Sequence, residues 1–425
     1  MSDYGHLQAI FPANAQGISW TMMPEPIYLD HNATTPVLPE VIEAMRSCWA
    51  EPLLNPSSQH EFGRRARRVL ENTRERIAEL LGAKTSGMDA DRVIFTSGGT
   101  EANNLAILGL AGRSGIAHRN VAEPIVGIDT QPPHIIISTI EHPSIRVLAG
   151  ELKRRGWHVD YLGVDSNGSI QTDDLSSLLR RETRVVAAIL GQNETGVLQP
   201  VAQLAACCRE TGVPLHTDAI QVIGKLPVNF RALGVASMSV AAHKFHGPTG
   251  IGALVLRHGV ELQPQMFGGF QQGGLRPGTE SVALAVGMCR ALELWHAEAA
   301  QRHQRLRELR DRFERAILTE WPSARVIGAD AERLPHTSHI AFVGLDRQAL
   351  FMALDQAGVA CSLGSACASG SSEPSAVLQA MGCDKAVYQS AVRFSLGTTT
   401  TAAEIDEAAR RILKCCFHLR QKIVR

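Results

Sequence analysis

The chain has 425 residues, 44% of them hydrophobic and 20% charged, which is enough to bury a large core and to divide into two domains. Lys plus Arg and Asp plus Glu both total 42, so no net field draws nucleic acid or an anionic membrane, and neither is expected as a partner. The first twenty residues carry neither a basic start nor a long apolar run, and no later stretch has the length to span a bilayer, which predicts a cytoplasmic protein.

The first strong periodicity begins at Gly63, where Ala66, Val69, Leu70, Ile77, Leu80 and Leu81 fall near one face of a helix that stops at Gly82. Short apolar runs follow at Val93 to Thr96, Ile135 to Thr139, Val185 to Leu190, Pro214 to Asp218, Ser237 to Ala241 and Ala253 to Leu256, with helical stretches between several of them. That alternation predicts an α/β fold with a mostly parallel sheet covered by helices. A long charged helical stretch from about Ser281 to Thr319 leads to a smaller α+β part, with strands at Ser338 to Val343, Val359 to Ser362 and Val392 to Ser395. Between two of these elements lies Gly364-Ser-Ala-Cys367-Ala-Ser-Gly-Ser-Ser-Glu-Pro, a run of small residues that reads as a mobile loop.

Ligands of open α/β sheets gather outside the carboxyl ends of the strands, so the residues just past each run are the candidates for chemistry. Lys244, in Ser239-Val-Ala-Ala-His-Lys-Phe-His-Gly-Pro, can hold an aldehyde cofactor as an imine. Asp218, at the end of an apolar strand, can keep a pyridine nitrogen protonated so that the ring accepts electrons. Together they point to a pyridoxal phosphate enzyme, although either alone also reads as a loop lysine or a turn aspartate. Ser97-Gly98-Gly99-Thr100 follows a strand and opens a helix, and suits either a phosphate or a tight turn with no ligand.

His142 can stack over a cofactor ring and move protons, or serve as a plain hydrogen-bonded histidine before Pro143. Asn193 and Gln221 can hydrogen-bond a ring oxygen, and His243 can reach a phosphate. Arg393, inside an apolar strand, needs either a carboxylate ligand or an internal acidic partner. The nine cysteines show no Cys-x-x-Cys spacing, and the adjacent pairs Cys207-Cys208 and Cys415-Cys416 match neither a disulfide framework nor a zinc site; no metal is expected. Cys367 stands apart from them as a thiol on a loop of small residues, able to carry sulfur or to be a surface residue without consequence.

Taken in order, these segments resemble the cysteine desulfurases of the NifS and IscS type, within the class V aminotransferase group of fold-type I pyridoxal phosphate enzymes. The resemblance rests on Tyr28-Leu-Asp-His-Asn-Ala-Thr-Thr-Pro, Asn55-Pro-Ser-Ser-Gln-His, Thr96-Ser-Gly-Gly-Thr-Glu, Glu141-His-Pro, Asn193-Glu-Thr-Gly and His216-Thr-Asp-Ala-Ile-Gln. It continues through His243-Lys244, Arg276-Pro-Gly-Thr279-Glu, Gly364-Ser-Ala-Cys367 and Arg393-Phe-Ser-Leu-Gly. The resemblance implies a large pyridoxal phosphate domain over residues 40–300 with a mostly parallel seven-stranded sheet. It also implies a smaller α+β domain, from residues 1–39 and 301–425, that carries the mobile cysteine loop.

By the same resemblance Lys244 holds the cofactor, Asp218 its pyridine nitrogen, His142 its face, and Asn193 and Gln221 its phenolic oxygen. Gly99, Thr100 and His243 bind the phosphate, and Thr279 reaches the phosphate of a neighbouring subunit, which implies a homodimer. Asn32 and Arg393 meet the substrate, and Cys367 takes its sulfur as a persulfide while L-cysteine becomes L-alanine. The sulfur would pass to an acceptor or scaffold protein, for iron–sulfur clusters or thiolated biomolecules; selenocysteine stays open as a rival substrate.

Three segments depart from the family pattern. Ala241 stands where serine is usual, which removes one phosphate hydroxyl and implies cofactor binding weaker by about 1.5–3 kcal/mol unless compensated. Thr249 stands where lysine is common, and Gly268-Gly-Phe-Gln-Gln replaces Gly-Gly-Gly-Gln-Glu.

Overall fold

Aliphatic runs too short for helices form the strands of the molecule, whose structure is a computed structural model describing residues 25–112, 131–364 and 374–423. In chain order these are β1 (Ile27–Tyr28), β2 (Arg92–Thr96), β3 (His134–Ser138), β4 (His158–Leu162), β5 (Thr183–Ile189) and β6 (Leu215–Asp218). They continue with β7 (Ser237–Ala241), β8 (Gly252–Leu256), β9 (Ala324–Val326), β10 (Thr337–Phe342), β11 (Val359–Ala360) and β12 (Ala391–Ser395). Seven of them pair in the order β2-β8-β7-β6-β5-β3-β4. From β4 to β7 the strands run parallel, and β8 lies antiparallel to both β7 and β2. This is the mostly parallel seven-stranded sheet expected of an α/β protein.

Of the legible strands of this sheet, β3, β6, β7 and β8 are buried along their whole length and β2 and β5 at all but one position, and a strand covered on both faces reads as one apolar run. Within this sheet the strand the sequence did not announce is β4, an edge strand of mixed composition whose Tyr161 is exposed. The long helices that precede β5 among the described residues are α1 (Pro39–Ala50), α2 (Glu61–Leu80), α3 (Gly99–Ala111) and α4 (Pro143–Arg154). In α2 the predicted stripe is the buried one, with Ala66, Leu70, Ile77 and Leu80 inside and His60 capping the first turn.

The helical stretch expected from about Ser281 to Thr319 consists of two helices, Val282–Ala297 and Ala299–Glu320, broken at Glu298. The cause is that the two halves bury different stripes against different partners. Met288 and Leu292 belong to the apolar cluster of the large sheet and its flank, whereas Leu306, Phe313 and Ile317 join a separate one. That second cluster draws Ile27 and Leu29 from the start of the described chain together with Phe342, Leu350, Phe394, Ile405 and Ile412. Its strands are the antiparallel set β12-β10-β9 and the parallel pair β1-β11. The N-terminal strand therefore crosses over to pack with the C-terminal part, and the segment after it, residues 29–35, is carried back over the large sheet.

The edge of the sheet at β2 is closed by a side chain. Gln272 donates from Nε2 to the carbonyl of Phe95 at 2.9 Å and accepts the Phe95 N–H at Oε1 at 2.6 Å, so its amide pairs with the strand as another peptide would. Arg74 donates to the same Oε1 at 2.9 Å and to Glu280 at 2.8 Å. Gln272 occupies the position where the resemblance has glutamate, and a carboxylate has no hydrogen to give the Phe95 carbonyl. Replacing Gln272 with leucine leaves both Phe95 groups unpaired and should cost about 1–3 kcal/mol, read as a lower urea midpoint with an unchanged slope; an unchanged midpoint would contradict this role.

Candidate active site

The carboxyl ends of β5, β6 and β7, the amino end of α3 and the segment after β1 meet around a cavity of about 180 Å³. Its lining includes Asn32, Gly99, Thr100, His142, Asn193, Asp218, Gln221, His243, Lys244 and Arg393. Ten of the predicted site residues are thus brought together, from segments far apart in the chain. Thr279 is exposed and does not line this cavity. Its loop is nevertheless moored beside α3, because Arg276 forms a bidentate pair with Glu101, at 2.7 and 3.2 Å, and Glu101 also accepts the Ser97 N–H at 2.6 Å. Cys367 lies outside the described residues.

Lys244 ends a single turn of 3-10 helix directly after β7, and its Nζ donates to the carbonyls of Asn32 at 2.6 Å and Ala33 at 2.8 Å. The same Asn32 carbonyl takes a hydrogen bond from Gln221 Nε2 at 3.0 Å. The Asn32 side chain is occupied elsewhere: Nδ2 donates to the Asn193 carbonyl and Thr337 Oγ1, and Oδ1 faces His336 Nε2 at 2.7 Å. What Asn32 brings to the cavity is therefore its backbone oxygen, an acceptor that places the Lys244 amine. Beneath it, Lys225 is buried and donates to the Lys244 carbonyl; burial and the Lys244 charge bring its amine down to about 7.

Asp218 projects from the last position of β6, where Oδ2 accepts from Asn103 Nδ2 at 2.7 Å and Oδ1 from the Ile220 N–H at 3.0 Å. Arg393 is buried on β12, with Nη2 donating to Asp30 at 2.7 Å and Nη1 to the Asn193 carbonyl at 3.0 Å, while its Nε has no hydrogen-bond partner. The internal acidic partner left open by the sequence thus exists, and it holds a guanidinium that also lines the cavity. His243 faces Thr34 Oγ1 at 3.2 Å, and burial followed by the Lys244 and Lys225 charges lowers its ring to about 4.

Two glycines make the amino end of α3 accessible. A Cβ on Gly252 would stand 2.7 Å from the Val240 carbonyl oxygen and 2.8 Å from the Gly98 carbonyl carbon, so glycine there lets the turn approach β7 and β8, while one on Gly99 would displace the Ile220 side chain, whose Cδ1 lies 2.1 Å away. The first N–H groups of a helix of 13 residues, the Thr100 side chain and His243 converge there, a donor set suited to a phosphate. The buried Gln221 Oε1 has no partner within the protein, and Asp218 faces the same space. Amine, carboxylate, amide and phosphate cup together fit pyridoxal phosphate. Ala241, also on the cavity wall, has no hydroxyl to add.

Sequence reasoning missed Glu141 as a site neighbour. Its Oε1 accepts from Ser138 Oγ and from the Ile189 N–H at 2.8 Å, its Oε2 has no partner, and burial, aided by the nearby Asp218 charge, pushes its carboxyl up to about 8. The histidine beside it drew attention in the Glu141-His-Pro triplet, whereas a carboxyl between polar and apolar neighbours gives no sign of burial.

The chain matches the aminotransferase class-V family over residues 27–408. It is 39% identical over 384 residues to the cysteine desulfurase IscS of Dictyoglomus turgidum, covering 90% of this chain and 93% of that one. It is 42% identical over 383 residues to a cysteine desulfurase of Cereibacter sphaeroides, again covering 90% and 93%. Among solved structures, a NifS-like protein from Rickettsia africae superposes with a TM-score of 0.80 at 29% identity, over 92% of this chain and 99% of the other.

Glu141 offers a test of the site's electrostatics. Its folded carboxyl titrates above the ordinary 4.5, so the stability it lends is complete at low pH and is lost as pH rises through about 8. Glu141→Gln imitates the neutral form, so wild type should lose stability relative to this variant, on the order of a few kcal/mol, in urea melts between pH of about 4.5 and about 8. Parallel pH curves for the two proteins would contradict a buried neutral carboxyl.

Proposed function

The chain belongs to the aminotransferase class-V family, and from that premise we infer that it is a pyridoxal phosphate-dependent cysteine desulfurase converting L-cysteine to L-alanine. The observation that carries this reading is the placement of the Lys244 amine and the Asp218 carboxylate at the carboxyl ends of neighbouring strands, on one cavity with Thr100 and His243. When bound, the cofactor supplies an electron sink for the substrate carbon that gives up its proton.

The protein's own part is to hold and orient. The Asn32 and Ala33 carbonyls keep the Lys244 amine over the cavity, ready for the cofactor aldehyde. Asp218 receives the ring nitrogen, Asn193 and Gln221 the phenolic oxygen, and Gly99, Thr100 and His243 the phosphate. Arg393, fixed by Asp30 and still carrying an unpartnered Nε, receives the substrate carboxylate. His142 covers the cofactor ring.

We propose Cys367 as the thiol that takes the substrate sulfur. Support comes from the other cysteines: burial raises the thiol of every cysteine among the described residues, Cys208, Cys289 and Cys416 to about 12, so none of them is a ready thiolate. A homodimer belongs to the same proposal, with Thr279 reaching the partner's phosphate; Thr279 is exposed, and Met266, Phe267 and Phe270 on the preceding loop are exposed as well. So do a division into residues 40–300 and residues 1–39 with 301–425, delivery of sulfur to an acceptor or iron–sulfur scaffold protein, and a cytoplasmic setting. No helix among the described residues is long and apolar enough to cross a membrane.

Incubation with L-cysteine should release L-alanine and leave a persulfide on Cys367, mapped by mass spectrometry. Cys367→Ser should keep the cofactor, form no persulfide and lose sulfur transfer by at least about a hundredfold. Undiminished sulfur transfer by that variant would overturn the assignment.

A further inference from the structure

Hydrogen bonds on the far side of the cavity wall decide which nitrogen of His142 carries hydrogen. Asn103 is completely buried on α3, and its Nδ2 donates to Asp218 Oδ2 at 2.7 Å and to Ser144 Oγ at 2.8 Å. A carboxylate oxygen accepts, so the Asn103 amide must present nitrogen to it, and both of its hydrogens are then engaged. Its Oδ1 faces His216 Nε2 at 3.1 Å, which makes that nitrogen the donor, while His216 Nδ1 meets Ser237 Oγ at 2.8 Å.

Ser144 Oγ, already an acceptor from Asn103, has its own hydrogen left to give, and the atom 2.8 Å away is His142 Nδ1. The Ser144 backbone N–H points at the same Nδ1, at 3.2 Å, as the cap of α4. Two donors thus converge on one ring nitrogen. A nitrogen in that position is bare, so the neutral ring bears its hydrogen on Nε2. Protonating Nδ1 would break the bond from the Ser144 backbone N–H, force the Ser144 hydroxyl to turn round, and put a positive charge at the positive end of a helix of 12 residues.

We infer that Ser144 and Asn103 are positioning residues that hold His142 as the neutral Nε2–H tautomer, which makes its Nε2 a hydrogen-bond donor and not a proton acceptor. The remaining charges around the ring fall on both sides: Asp218 favours the imidazolium, Lys244 and Arg146 oppose it, and burial lowers the ring's affinity for a proton most of all. A neutral imidazole capping a helix and serving as donor is a known catalytic device. The inference rests on the proposed desulfurase activity only for what the donor serves; the tautomer is a property of the folded chain.

The test is nitrogen-15 NMR of the holoenzyme with labelled histidine, His142 being assigned by loss of its signal in His142→Gln. Expected at neutral pH is a bare, hydrogen-bonded Nδ1 and a protonated Nε2. Ser144→Ala should move both signals towards a mixture of tautomers and lower kcat roughly tenfold, about one hydrogen bond, with KM unchanged; Ser144→Thr should restore both. A bare Nε2 in wild type overturns the inference without recourse to any variant, as do signals unmoved in Ser144→Ala. Absence of alanine release by wild type with the expected tautomer would instead overturn the desulfurase reading.

Discussion

The structure depends on placing one amine and one carboxylate at the ends of adjacent strands in a parallel sheet, with enough hydrogen bonds to hold each in place. Asp218 has the Ile220 N–H and Asn103, and Lys244 has two carbonyls from the segment after β1. Neither set is local in sequence. Asn103 lies 115 positions from Asp218, and the carbonyl of Asn32 lies 212 positions from Lys244. The site therefore exists only when α3, β6, β7 and the N-terminal segment are assembled, which ties its chemistry to the integrity of the whole sheet.

That dependence explains the crossing of the chain. β1 pairs with β11 in the second apolar cluster, and the residues just after it return over the large sheet, where Asn32 contacts Asn193, Thr337, Gln221 and Lys244. Arg393 on β12 closes the same junction through Asp30 and the Asn193 carbonyl. A substrate carboxylate bound at Arg393 would thus be held by a strand of one apolar cluster while the amine that acts on it belongs to the other. The arrangement couples substrate position to how the two clusters pack.

Much of this was legible in the chain. Fully buried strands announce themselves as apolar runs, and the residues just past their carboxyl ends, Thr100, His142, Asn193, Asp218 and Lys244, are the ones that share the cavity. What stayed hidden has physical reasons. The edge strand β4 mixes polar and apolar residues because one of its sides is solvated. The break at Glu298 arises from which cluster each half of the helical stretch packs against, a matter of tertiary contact and not of local propensity. Glu141, Asn103 and Ser144 gave no signal because a polar residue reveals burial only through partners that sequence does not display. Asn32 was expected to meet the substrate, and its carbonyl accepts from Lys244 and Gln221.

The central claim is that the Lys244 amine, and no other, is poised for the cofactor aldehyde. Lys225 makes this a discriminating question, since it too is buried, lies against the Lys244 carbonyl and has an amine brought down to about 7. Borohydride reduction of the protein saturated with pyridoxal phosphate, followed by peptide mapping, should place one pyridoxyl group on Lys244. A pyridoxyl group on Lys225, or on neither lysine, would contradict it.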